Sequence, residues 1–252
     1  MKSFINLLLV FILFTSNFFA QNNKSVQVLV RGIVSDWYDK SPLQVELRFE
    51  DPIGKYFKIN SNSLTGRYEQ VLNSNTKYKV RLFSAEIFPT EFILVTPEVN
   101  NYTEIEQNYE VIKLHPGRTI LVYDIFSSAN SELNSNLNKF IEELNVKMRF
   151  NRNVKIQIEV CGIDSKRNFT KVIEKKVKKK LTTDTIFEKK EYEKLVDKRL
   201  KALTEIKPKL AYPDRVSFGF NTMSGITDKL FDQCPDCDTR IIVLEYDPAI
   251  KY

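Results

Sequence analysis

Histidine is almost absent from this chain: His115 is the single one among 252 residues. That excludes a His-rich metal site and any Ser/His or Cys/His catalytic dyad elsewhere in the fold. Glycine is scarce as well, seven in all, and none stands at the spacing of a phosphate-cradling loop. No nucleophile elbow is present, and the many acidic residues include no pair with convincing catalytic spacing. Past Ala20 no apolar run approaches the length of a membrane span. The three cysteines, Cys161, Cys234 and Cys237, lack the second C-x-x-C or histidine pair that a four-ligand zinc site needs. These absences point away from an enzyme and from any cofactor.

What is present is enough apolar material for folded cores: 42% of the chain is hydrophobic and 12% aromatic. The length suits two ordinary domains. A net charge of +6 and a pI near 9.0 favour polyanionic neighbours without naming one, and simple solubility is the other reading. Met1-Lys2, the apolar run from Phe4 to Phe14 and the Phe18-Phe19-Ala20 end form the pattern of a secretory signal peptide over residues 1–20. Cleavage after Ala20 is expected, with an uncleaved anchor as the alternative. The exported protein would then have no transmembrane span and would not meet nucleic acid.

Residues 24–113 alternate polar and apolar positions in short stretches divided by turns. Val26 to Val34, Leu43 to Phe49, Tyr56 to Ile59, Arg67 to Leu72, Lys77 to Phe83, Glu91 to Val95 and Tyr109 to Ile112 give six or seven strands, the pattern of a β-sandwich. Arg31-Gly-Ile-Val-Ser-Asp36, Ser41-Pro-Leu43, Ser63-Leu-Thr-Gly-Arg-Tyr68 and Lys77-Tyr-Lys-Val80 resemble the carboxypeptidase-regulatory, or transthyretin-like, family. That resemblance implies a fold and little chemistry. Trp37, Tyr38 and Phe57 form either a sugar-stacking patch or buried packing. Lys113 to Gly117 marks the domain boundary.

Beyond it, residues 114–252 change pattern. Arg118 to Ile125 alternates as a strand. From Asn130 to Met148, Leu133, Leu137, Phe140, Ile141, Leu144 and Met148 recur at helical spacing. Lys155 to Val160 alternates again, with Asp164 just past its end. Asp214 to Phe218 and Thr239 to Glu245 supply two more strands. The lysine-rich insert, residues 165–190, is expected to be a solvated helix leading into the helix that holds Arg199. Its cationic side chains could alternatively meet anionic glycan or lipid head groups. The fold class expected is two domains, an N-terminal all-β sandwich and a C-terminal α/β domain of βαβαββ order.

The succession of helix, strand, Asp164 and the Leu195-x-x-x-Arg199-x-x-Ala202 frame resembles the OmpA-like peptidoglycan-binding family of Gram-negative envelopes. The family's His and Thr beside the aspartate are replaced near Gly162 and Ile163. Its Asn and Ser positions hold Tyr192 and Val196. The resemblance implies a periplasmic, outer-membrane or cell-wall associated protein whose partner is peptidoglycan. Asp164 would accept the ammonium of the stem-peptide diamino acid, Arg199 would take its carboxylate, and Arg240 would support. Both would be only partly desolvated. The competing reading is a decayed site with Arg199 in a surface ion pair, in a scaffolding protein whose N-terminal domain meets other envelope proteins.

Cys234-Pro-Asp-Cys237 fits a structural disulfide, a redox centre or half a zinc site. Its place just before a strand favours the disulfide, and a thiol-disulfide oxidoreductase is the alternative. Cys161 is expected to be a buried free thiol.

Overall fold

The computed structural model describes residues 26–127, 130–160, 170–177, 180–220, 229–234 and 236–248. The expected signal peptide, Cys161 and Asp164 lie outside the described residues.

Eight strands come first: β1 (Gln27–Asp36), β2 (Glu46–Glu50), β3 (Tyr56–Asn60), β4 (Arg67–Asn73), β5 (Lys77–Phe83), β6 (Thr90–Val95), β7 (Thr103–Glu106) and β8 (Tyr109–Val111). They form two sheets, one ordered β3-β2-β5-β6 and one ordered β4-β1-β7 with β8 also paired to β1. The inward residues of both sheets share one core. Val28, Val30 and Val34 of β1, Leu47 and Phe49 of β2, and Tyr78, Val80 and Leu82 of β5 are all buried at alternate positions. The strand β7 was not expected from its short, acidic sequence; it pairs in parallel with β1 from Val28 to Arg31. β1 then passes from β7 to β8 at Gly32, where an added Cβ would lie 1.9 Å from the Gln107 carbonyl oxygen.

The C-terminal half contains β9 (Thr119–Tyr123), α1 (Asn136–Phe150), β10 (Val154–Val160), β11 (Thr170–Val177), β12 (Lys180–Phe187), α2 (Lys189–Thr204), β13 (Val216–Phe220), α3 (Lys229–Asp232) and β14 (Thr239–Tyr246). The sheet order is β13-β10-β14-β9, with β10 parallel to β13 and antiparallel to β14. Ile156, Ile158 and Val160 of β10 meet Leu137, Phe140, Leu144 and Met148 of α1 and Leu203 of α2 in a second core.

The structure corrects two expectations. The lysine-rich insert is not helical: β11 and β12 form an antiparallel hairpin, from Thr170↔Phe187 to Val177↔Lys180. Thr182, Thr183, Thr185 and Ile186 are β-branched and suit a pleated strand better than a helix, which outweighs the helix-forming lysines. With α3, this hairpin also departs from the expected βαβαββ order. In addition, α1 begins at Asn136 rather than near Asn130, because Leu133 is engaged in a bridge to Phe126.

The two cores meet at a seam. Phe88 and Leu114, from the N-terminal half and the linker, belong to the second core. Asn151 donates to the Ile87 carbonyl at 2.8 Å, and Lys147 donates to the Pro89 carbonyl at 3.2 Å. Arg118 pairs at 2.7 Å with Asp36, a fully buried carboxylate that also accepts the Lys113 amide. Among the described residues no helix is long and apolar enough to cross a membrane.

Candidate functional site

Arg199 lies on the buried stripe of α2, with Tyr192, Leu195, Val196 and Leu203. Those positions recur at three and four residue spacing, so the helix period itself turns the arginine inward. It is fully buried. Its Nε donates to the Asn130 carbonyl at 2.8 Å, and its guanidinium stands 4.9 Å from the centre of the Phe126 ring. The stacked, planar cation is thus held by the segment that follows β9. This corrects the expectation of partial exposure, and a fully buried guanidinium is not part of a surface ion pair.

The sequence reading overlooked Asp238. It is buried at the mouth of β14 and accepts three hydrogen bonds, from the Ile125 amide at 3.1 Å, the Phe126 amide at 2.9 Å and the Thr239 hydroxyl at 2.9 Å. Burial pushes its pKa up to about 6, more than these donors and the Arg199 charge pull it down. Asp238 thus holds the Ile125 and Phe126 amides, and Arg199 the Asn130 carbonyl. The signal available in the sequence was weak: an aspartate directly after the second cysteine of the C-x-x-C and directly before a strand. The cysteines are bonded to each other, with Cys237 buried, and the bridge braces the turn that delivers Asp238.

Arg240 is elsewhere. It pairs with Glu159 at 2.7 and 2.8 Å, a cross-strand neighbour in the β10–β14 register. Strand alternation puts both on the sheet face opposite Ile158 and Val160, whose side chains join the helix-covered core. The structure thus does not bring Arg240 to Arg199, and commits it to a carboxylate of its own sheet. Asp164 lies outside the described residues. β10 ends at Val160, paired with Thr239, one residue from Asp238. That end of the sheet is the one where Asp238 lies.

The three aromatics considered for sugar stacking do not form one patch. The rings of Trp37 and Tyr38 meet edge to face at 4.9 Å, and Tyr38 donates to the Thr119 carbonyl at the seam. Phe57 packs on the first core. His115 is exposed, its Nδ1 2.8 Å from the Pro116 carbonyl oxygen. Among the described residues no group of three or more His, Cys, Asp or Glu is arranged to hold a metal ion.

No family model and no curated protein matches the chain. Seven chains of solved structures match it, two of them as follows. One is catechol 1,2-dioxygenase from Acinetobacter sp. ADP1, at 9% identity over 38% of this chain and 55% of that one, with a TM-score of 0.27. The other, from Bacteroides uniformis ATCC 8492 and described as a carbohydrate binding protein, is 14% identical over 41% of this chain and 48% of that one, with a TM-score of 0.25. The chain spans about half the length of each. At those scores neither likeness bears on function.

Proposed function

We propose that this protein is a non-catalytic component of a Gram-negative cell envelope, with a β-sandwich domain at 24–113 and an OmpA-like α/β domain at 114–252. The C-terminal domain binds peptidoglycan, Asp164 taking the ammonium and Arg199 the carboxylate of the stem-peptide diamino acid. The observation that carries this reading is that α2, which holds Arg199, packs against β10, from whose end Asp164 follows four residues after Val160. The passage from β9 through α1 to β10, and later an arginine-bearing helix followed by two strands, supports this reading, with the β11–β12 hairpin and α3 as additions to the expected order. The polymer offers many copies of the ligand, and multivalent attachment offsets a weak single contact.

A second reading is favoured by the hold that Asn130, Phe126 and Asp238 have on Arg199, and that Glu159 has on Arg240. In it the fold is kept, the site is lost, and the protein serves as an envelope scaffold.

Co-sedimentation of the mature protein with insoluble peptidoglycan separates the two. Asp164→Ala and Arg199→Lys are compared with wild type at two salt concentrations, with far-UV circular dichroism to establish folding. Binding lost in both folded variants supports the clamp. Absence of binding by wild type, or retention by both variants, leaves the scaffold.

A further inference from the structure

Alternation in β2 turns Leu47 and Phe49 into the first core and Glu46 and Arg48 to the outer face of the sheet. The register sets Glu46 directly between Asn60 of β3 and Phe83 of β5, so these three residues form one row across the sheet, with Arg48 in the next. The C-terminal half reaches this face through Phe150, the last residue of α1, whose ring lies 5.8 Å from that of Phe83. A cleft of about 710 Å³ is enclosed there, between β2, β3 and the end of β5 on one side and the ends of α1 and β14 on the other. That volume is in the range of small-molecule sites.

The cleft is built for hydrogen bonding. The Arg48 guanidinium stands 4.2 Å from the centre of the Phe83 ring and its Nε donates to Glu46, which fixes its plane. Among the described residues its Nη atoms donate no hydrogen bond, and the exposed side-chain amides of Gln44 and Asn60 make none. The charges of the lining are balanced. Glu46 meets Arg48 and, at 3.9 Å, Lys58, and Glu86 pairs with Lys113 at 2.9 Å. Phe150, 39% exposed, adds an aromatic surface.

We propose that this cleft binds a short neutral oligosaccharide. The planar ends of Arg48, Gln44 and Asn60 present paired hydrogen-bonding groups to adjacent sugar hydroxyls, and the Phe150 ring covers the C–H face of a pyranose. An apolar ligand would strip water from those polar groups without replacing its hydrogen bonds, and an ionic one would find no surplus of opposite charge. The site uses neither Asp164 nor Arg199, so it stands or falls separately from the peptidoglycan clamp.

Ligand-observed NMR titration of the full mature chain tests this with neutral trisaccharides of glucose, mannose and N-acetylglucosamine, and with trigalacturonate as the charged counterpart. Saturable binding of at least one neutral sugar is expected, with a dissociation constant of about 1 mM or below. Arg48→Met keeps the stem on Phe83, removes the donors and weakens binding about tenfold or more, and Gln44→Ala with Asn60→Ala weakens it about fivefold. Phe150→Ser weakens it about fivefold, whereas Tyr102→Ser, at an aromatic that is 58% exposed and outside the cleft, leaves it unchanged. The proposal is overturned if no neutral sugar binds up to about 10 mM, or if trigalacturonate binds more tightly than every neutral sugar. It is also overturned if binding survives the Arg48 variant and the Gln44 and Asn60 double variant, with circular dichroism establishing that both are folded. The two amide side chains bond to no described residue, so the double variant tests the cleft even where the other substitutions disturb the seam.

Discussion

Asp238→Asn tests whether the buried carboxylate at the mouth of β14 is held as described. In the folded chain its pKa stands at about 6 against 3.8 for an ordinary aspartate. A carboxyl whose pKa is raised by folding stabilises the fold when protonated. That contribution is complete below the unfolded value and is lost as pH rises through the folded one. Each tenfold change in an acid dissociation constant corresponds to about 1.4 kcal/mol, so the loss amounts to about 3 kcal/mol. Asparagine does not titrate, so the stability gap between wild type and variant is widest in acid and narrows by that amount toward neutrality. A gap persists at neutral pH. The carboxylate oxygen that accepts the Phe126 amide at 2.9 Å is replaced by an amide nitrogen if the other oxygen keeps Ile125 and Thr239. The buried Phe126 N–H is left without its acceptor, at a cost of about 1–3 kcal/mol. Urea unfolding of both proteins, followed by circular dichroism from about pH 4 to about pH 7, measures the gap across the titration. A gap that is constant with pH, or that widens toward neutrality, would refute the assignment of a raised pKa to Asp238.

Three further outcomes follow from the packing. Arg118→Met leaves Asp36 buried without its guanidinium partner and should cost about 3–5 kcal/mol in urea unfolding, since an uncompensated interior charge is involved. Gly32→Ala should destabilise by about 1–3 kcal/mol or more, because the new methyl meets the Gln107 backbone. Gly219→Ala, whose methyl would lie 1.8 Å from the movable Gln157 amide, should cost clearly less, and the two thermal midpoints compared side by side check this. Cys234→Ser opens the bridge to Cys237 and should lower stability by about 2 kcal/mol for so short a loop, an effect that added reductant reproduces in the wild type.

The strands of the N-terminal half other than β7 and the strands β9, β10, β13 and β14 were legible in the sequence, because each alternates at period two and is bounded by turn residues. The helix α1 was legible from its apolar stripe, though not its first turn: Leu133 has the right spacing but is taken by Phe126. The hairpin β11–β12 was missed because lysine and glutamate favour helices in isolation, while the pairing of Val172 with Thr185, Ile173 with Asp184 and Glu174 with Thr183 is a property of neighbours 9 to 13 residues apart. Arg199 was found as a residue and misjudged in its surroundings. Its place in the row Tyr192, Leu195, Val196, Leu203 foretold burial, which its charge concealed.

The sequence by itself determined the periods, and with them most elements and the residues of the two cores, since alternation and helical spacing are local properties of the chain. It also supplied the cysteine pair that closes on itself. Only the tertiary structure decided which charges meet. Asp36 finds Arg118 across 82 residues, Glu159 finds Arg240 across 81, and Asp238 holds amides 112 and 113 residues away. Such pairs depend on strand order and on which face of the sheet a residue occupies, and no local pattern encodes either.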